Sequence, residues 1–174
     1  MTRQGKALLG ALVAAGALVM FAATAAAQTG GSESFDGTIV ARATLGDRTV
    51  LSSVIRARGA FNGVGHIVEI PNQPGDPDNV ERDDLVFAAG SMHLITTIVG
   101  FESSLDPRSC IFTATIAQTS EVSGGTGAFV NASGSFVAQL TGRLKAARNP
   151  DGSCSEDTSV NEVDQFSAEG TLTY

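Results

Sequence analysis

His66 and His93 are the two histidines of this 174-residue chain, and imidazole is the side chain whose charge changes nearest neutral pH. Each lies in an alternating apolar run: Val64, His66, Val68 and Ile70 share one phase, and Phe87, Ala89, Ser91, His93, Ile95, Thr97 and Val99 share another. If both project inward they form a polar pair in an apolar cavity, able to act as general acid and base or to orient a ligand. The alternative is a pair of hydrogen-bonded structural histidines, or residues at a subunit contact. Between them runs Asp76-x-Asp78-Asn79-x-Glu81-x-Asp83-Asp84, which has enough oxygen ligands for calcium. It lacks the Gly and terminal Glu of an EF-hand loop, so a solvated acidic loop is the simpler reading and no metal is expected there.

Cys110 and Cys154 are the only cysteines. An even pair in an exported protein reads as one disulfide, and closing a loop of about 45 residues stabilises a fold by roughly 4 kcal/mol. A redox or metal-binding pair is disfavoured, since neither has a Cys-x-x-Cys partner or a His neighbour. Asn131-Ala132-Ser133 matches a glycosylation sequon. There is no Gly-x-Ser-x-Gly elbow, phosphate loop, His-Glu-x-x-His or dinucleotide fingerprint, so no catalytic set is assigned and no cofactor is expected.

The elements that must position these residues begin with a leader. Arg3 and Lys6, the apolar run Ala7 to Ala23, and the small residues Ala25-Ala26-Ala27 read as a secretory signal peptide over 1–27, leaving a single domain at 28–174. The chain is expected to be secreted or extracytoplasmic, with no membrane segment after cleavage. Its 18 acidic residues outnumber 11 basic ones, and the leader holds only basic ones. That balance argues against nucleic acid and against anionic membrane surfaces as partners.

Period-two alternation runs through the remainder. Phe35, Gly37, Ile39, Ala41 and Ala43 face one way in a first strand, and Leu45-Gly46-Asp47 turns into a second strand over about 48–57. His66 to Ile70 is a third, ended by Pro71. Pro71 to Asp84 holds three of the five prolines and reads as the longest loop. Leu85 to Val99 reads as one long strand, apolar on both faces. Such a strand is covered on both sides, either by the acidic loop or by a second copy in a homo-oligomer. Cys110 to Ala117 leads into the glycine-rich corner Val122 to Phe136, and Val130 to Leu140 leaves it. Asn149-Pro150-Asp151-Gly152 is a turn, and Val160 to Tyr174 is the last strand, with Phe166, Ala168, Gly170 and Leu172 on its inner face.

Seven or eight strands with no helical periodicity mean an all-β fold, an antiparallel β-barrel of about eight strands, with a β-sandwich as the alternative. Gly134, inside the strand that leaves the corner, predicts a bulge or sharp bend. The corner Val122-x-Gly-Gly-Thr-Gly-x-Phe129-x-x-Ala132-x-Gly134 resembles that of the allene oxide cyclase and dirigent barrel superfamily. Phe35-Asp36-Gly37-Thr38 and Phe166-x-x-x-Gly170-Thr-Leu-Thr-Tyr174 resemble its first and last strands. The resemblance implies an eight-stranded barrel, often oligomeric, around a hydrophobic small molecule, in enzymes that cyclise a fatty-acid epoxide or steer phenoxy-radical coupling. No catalytic residue of those enzymes has a match outside the corner. Three functions are therefore expected to compete: a binder of a small hydrophobic ligand, a cyclase- or dirigent-like isomerase or stereochemical guide, and an extracellular structural or interaction module.

Overall fold

The alternation of apolar and polar residues becomes a ladder of antiparallel strands in the computed structural model, which describes residues 29–45 and 47–174. The strands are β1 (Gly30–Thr44), β2 (Asp47–Gly59), β3 (Gly63–Ile70), β4 (Val80–Phe87), β5 (Gly90–Asp106), β6 (Ile111–Gly125), β7 (Ser133–Arg148) and β8 (Cys154–Thr173). Each pairs with its sequence neighbours and β8 pairs back on β1, so the sheet closes into an up-and-down barrel of eight strands. Closure satisfies the backbone groups that the edges of an open sheet would leave unpaired. The leader assigned to 1–27 lies outside the described residues.

The two ends of the barrel differ. At one end Phe35, Phe87, Met92, Phe129, Phe136 and Leu172 are buried in a continuous core. Phe61 caps them, edge-on to Phe87 and Phe129 with ring centroids 5.0 Å away in both cases. Edge-to-face packing at this spacing adds to simple area burial. At the other end the strands are unequal. β4 has eight residues and β5 has 17, while β2 meets β3 only along Ile55 to Ala57. The wall is therefore incomplete between β2 and β5, and this end stays open.

The corner folds as expected from its glycines, with one difference. Gly124 and Gly127 take φ of 99° and 58°, the left-handed region open to glycine, and a short 3₁₀ turn, Gly127–Phe129, carries Phe129 into the core. Gly134, however, makes no bulge: the β6–β7 register is unbroken across it. A Cβ there would overlap the Thr171 carbonyl oxygen, so the residue is small because two strands cross closely. The register shifts fall elsewhere, at Val40/Ala41, Met92/Leu94 and Ile98/Gly100 among other places.

Two further expectations are corrected. Leu85 to Val99 is not one strand but the hairpin β4–β5, reversed at Ala88-Ala89 with Gly90 at φ 138°. The corner packs over this reversal, where the Ala128 N–H donates to the Ala89 carbonyl at 2.9 Å and the Thr126 N–H to that of Ser91 at 2.8 Å. Leu85 and Phe87 face inward before the turn, Met92 and Leu94 after it. The two apolar faces arose from reading two strands of opposite phase as one, so they say nothing of an oligomer contact. The acidic loop is also shorter than expected, because β4 starts at Val80 and takes Glu81, Asp83 and Asp84 into the sheet.

Candidate functional site

Above the aromatic core the inward positions enclose a cavity of about 370 Å³ at the open end. Its apolar wall is one residue from almost every strand: Ile39, Ile67, Leu85, Leu94, Ile116, Leu140 and Phe166. The volume lies at the lower end of those that enclose small molecules. A Cβ at Gly37 would overlap the Val54 carbonyl oxygen and the Ile55 side chain, so β1 and β2 approach closely there.

Toward the mouth the inward positions turn polar. Arg48, at the start of β2, reaches across to β8, with Nε 2.7 Å from Glu162 Oε1 and Nη2 2.6 Å from Asp164 Oδ2, and it also pairs with Glu69 of β3. Asp164 is only 2% exposed. Burial and the neighbouring Glu162 carboxylate push its pKa up to about 6, against the pull of Arg48. On the opposite wall Asp83 stands beside Glu69 in the β3–β4 register, and Glu81 beside Thr96 in the β4–β5 register. Asp83 has no ion-pair or hydrogen-bond partner among the described residues. Burial first, then the Glu81 and Asp84 charges, raise its pKa to about 7 against the opposing pull of Arg48.

A polar shelf continues from these carboxylates onto β5 and β6. Thr96 and Ser120 are both buried and share a hydrogen bond of 2.9 Å. Gln118, 5% exposed, also lines the cavity. Its amide finds no partner among the described residues. The site thus offers an apolar pocket, a hydrogen-bonding shelf, and two carboxyls that change charge near neutral pH.

The histidines are not part of it. Both sit on the outside of the barrel: His66 is exposed on β3, opposite Val86, and His93 Nδ1 lies 2.6 Å from Asp84 Oδ1 with 44% of its side chain exposed. The expectation that they face inward fails because Val64, Val68 and Ile70, in phase with His66, form the solvent side of β3. For His93, the reversal at Gly90 turns its phase outward. The carboxylates of 76–84 diverge as well. Asp76 is bound in two hydrogen bonds by Arg82, which hold its pKa down at about 2, Asp84 turns out to His93, and Glu81 and Asp83 turn in.

Cys110 and Cys154 form the expected disulfide, with Cα atoms 5.4 Å apart, joining the β5–β6 turn to the start of β8. A disulfide fits an extracytoplasmic location. No helix among the described residues is long and apolar enough to cross a membrane. Asn131 of the sequon is exposed at the corner.

The residues that build the mouth were missed at the sequence level, although a signal for them existed. Glu162 and Asp164 are in phase with the inward Phe166 and Ala168, Glu69 with Ile67, and Gln118 with Ala114 and Ile116. Polar residues in the buried phase of a strand are the mark of a lined cavity. No protein-family model, no curated protein and no solved structure matches this chain.

Proposed function

We propose that this protein is a secreted β-barrel that holds a small hydrophobic molecule in the open half of its barrel. The observation that carries this reading is the cavity of about 370 Å³ walled by Ile39, Ile67, Leu85, Leu94, Ile116, Leu140 and Phe166. A barrel that served only as a scaffold would gain stability by filling that volume, because unfilled apolar space forfeits dispersion contacts. Native mass spectrometry of the protein exported by its own host, against the same sample denatured, tests the reading. A small mass released on denaturation is the expected result. Protein at its calculated mass, together with no uptake of added apolar ligands, would overturn it in favour of a surface role.

A second reading is favoured by the carboxyls facing that cavity. Asp83 and Asp164, with pKa values raised to about 7 and about 6, are poised to take and return protons near neutral pH. An isomerase or stereochemical guide of the allene oxide cyclase and dirigent type needs a shaped pocket more than a sequence motif, and this site has both pocket and proton carriers. Turnover of a bound ligand that is lost in Asp83→Asn, and kept in His93→Ala, would distinguish this reading from simple binding.

A further inference from the structure

The mouth of the cavity is electrically one-sided. Glu69, Glu81, Asp83, Glu162 and Asp164 line it, and the guanidinium that answers them is Arg48, already committed to Glu69, Glu162 and Asp164. Arg82 also touches the cavity, but Asp76 holds it through two hydrogen bonds. Glu81 and Asp83 make no ion pair among the described residues, although the Arg48 charge reaches Asp83 through space. The apolar wall behind Asp83 strengthens its field, and with the exposed Glu81 beside it the pair discourages a further anion from entering.

Beside them sits an unanswered hydrogen-bonding group. Gln118 is 5% exposed, lines the same cavity, and its amide oxygen and nitrogen bond to nothing else in the chain's described residues. Its amide faces the cavity, where a donor or acceptor on a bound molecule can complete it. Thr96 and Ser120 lie between Gln118 and Glu81 in the strand registers, so shelf and carboxylates form one continuous polar track across β4, β5 and β6. The opposite wall, Ile39, Leu140 and Phe166, is apolar.

We infer that the cavity takes a cationic amphiphile, a protonated amine on an apolar body, with its ammonium between Asp83 and Glu81, an N–H donated to the Gln118 carbonyl, and its tail against Ile39, Leu140 and Phe166. The inference rests on the proposed ligand-binding function and narrows it: anionic amphiphiles such as fatty acids are rejected by the same carboxylates. An ammonium has three donors and no acceptor, which suits a track made of carboxylates, hydroxyls and an amide oxygen.

The test measures binding of decylamine, decanol and decanoate to the protein at pH 8 by isothermal titration calorimetry, below the micelle threshold of each. The expected order is amine tightest, alcohol about ten-fold weaker, and acid weaker again. Asp83→Asn and Gln118→Leu, checked for folding by thermal melting, should each reduce the amine's lead over decanol several-fold, with each variant's own decanol affinity as the reference. Equal affinities, or decanoate as the tightest ligand, would overturn the cationic assignment while decanol binding still upheld the cavity's role. No binding of any of the three would instead bring down the ligand-binding function and this inference with it. An unchanged amine lead in both variants would place the ammonium elsewhere and also overturn the inference.

Discussion

Replacing Asp83 by Asn should stabilise the protein, and by an amount that depends on pH. The carboxyl has an ordinary pKa of 3.8 and is raised to about 7 by burial and by Glu81 and Asp84. Below pH 3.8 it is protonated in both the folded and the unfolded chain and contributes no difference. As pH rises from there to 7 the unfolded chain releases its proton while the folded chain holds it, so stability falls, and above 7 the loss is constant. A shift of about three units corresponds to about 4 kcal/mol, and screening by water at this part-exposed residue reduces that to about 2 kcal/mol. Asparagine keeps the shape and never acquires the charge. The assay is thermal unfolding of wild type and Asp83→Asn from pH 4 to pH 8. The variant should match wild type near pH 4 and melt about 6 °C higher at pH 8. Glu69, Glu81, Asp84, Asp164 and Arg48 are present in both proteins, so the difference isolates Asp83. A variant that is less stable at pH 8, or a gap of equal size at both pH values, would show that Asp83 is not the desolvated, unpartnered carboxylate described above.

Two other perturbations test the frame around the site. The Cys110–Cys154 link closes a separation of 44 residues, so the double Ser variant should lose about 4 kcal/mol in denaturant unfolding, and a loss under about 1 kcal/mol would mean that the staple constrains little. Gly90→Ala should cost at least about 3 kcal/mol, because φ is 138° and a Cβ would overlap the Thr126 carbonyl of the corner. Gly152→Ala, at φ 86° with nothing within 4 Å of the added carbon, should cost about 1 kcal/mol. Equal losses at the two glycines would refute the packing of corner on hairpin.

Much of the barrel was legible because a strand with one buried face writes its register into the chain. Phe35, Gly37, Ile39 and Ala41 at every second position, and Phe166, Ala168, Gly170 and Leu172 likewise, assign inner and outer faces without coordinates, and β1 and β8 do pair with those faces inward. The glycines at 124, 125 and 127 marked the corner: Gly124 and Gly127 take the positive φ that is cheap only for glycine, and a Cβ at Gly125 would overlap the Ser91 carbonyl oxygen. Alternation fails where a turn carries no polar or proline signal. Ala88-Ala89-Gly90 looks like more strand, and missing that reversal flipped the phase of His93 and hid the inward face of β4.

The sequence by itself thus determined an all-β chain, the placement of its corner, and the pair of cysteines close enough in the fold to bond, because each is a local or single-pair property. Only the tertiary structure decided the site. Arg48 and Glu69 come from the neighbouring strands β2 and β3, whereas Glu162 and Asp164 lie 114 and 116 residues beyond Arg48 and join them only when β8 closes on β1. That one end of the barrel is filled and the other hollow depends on the summed volumes of side chains from all eight strands and on the unequal lengths of β4 and β5. Neither is a property of any stretch of sequence, since packing and electrostatics act through space and the chain's order records only neighbours along it.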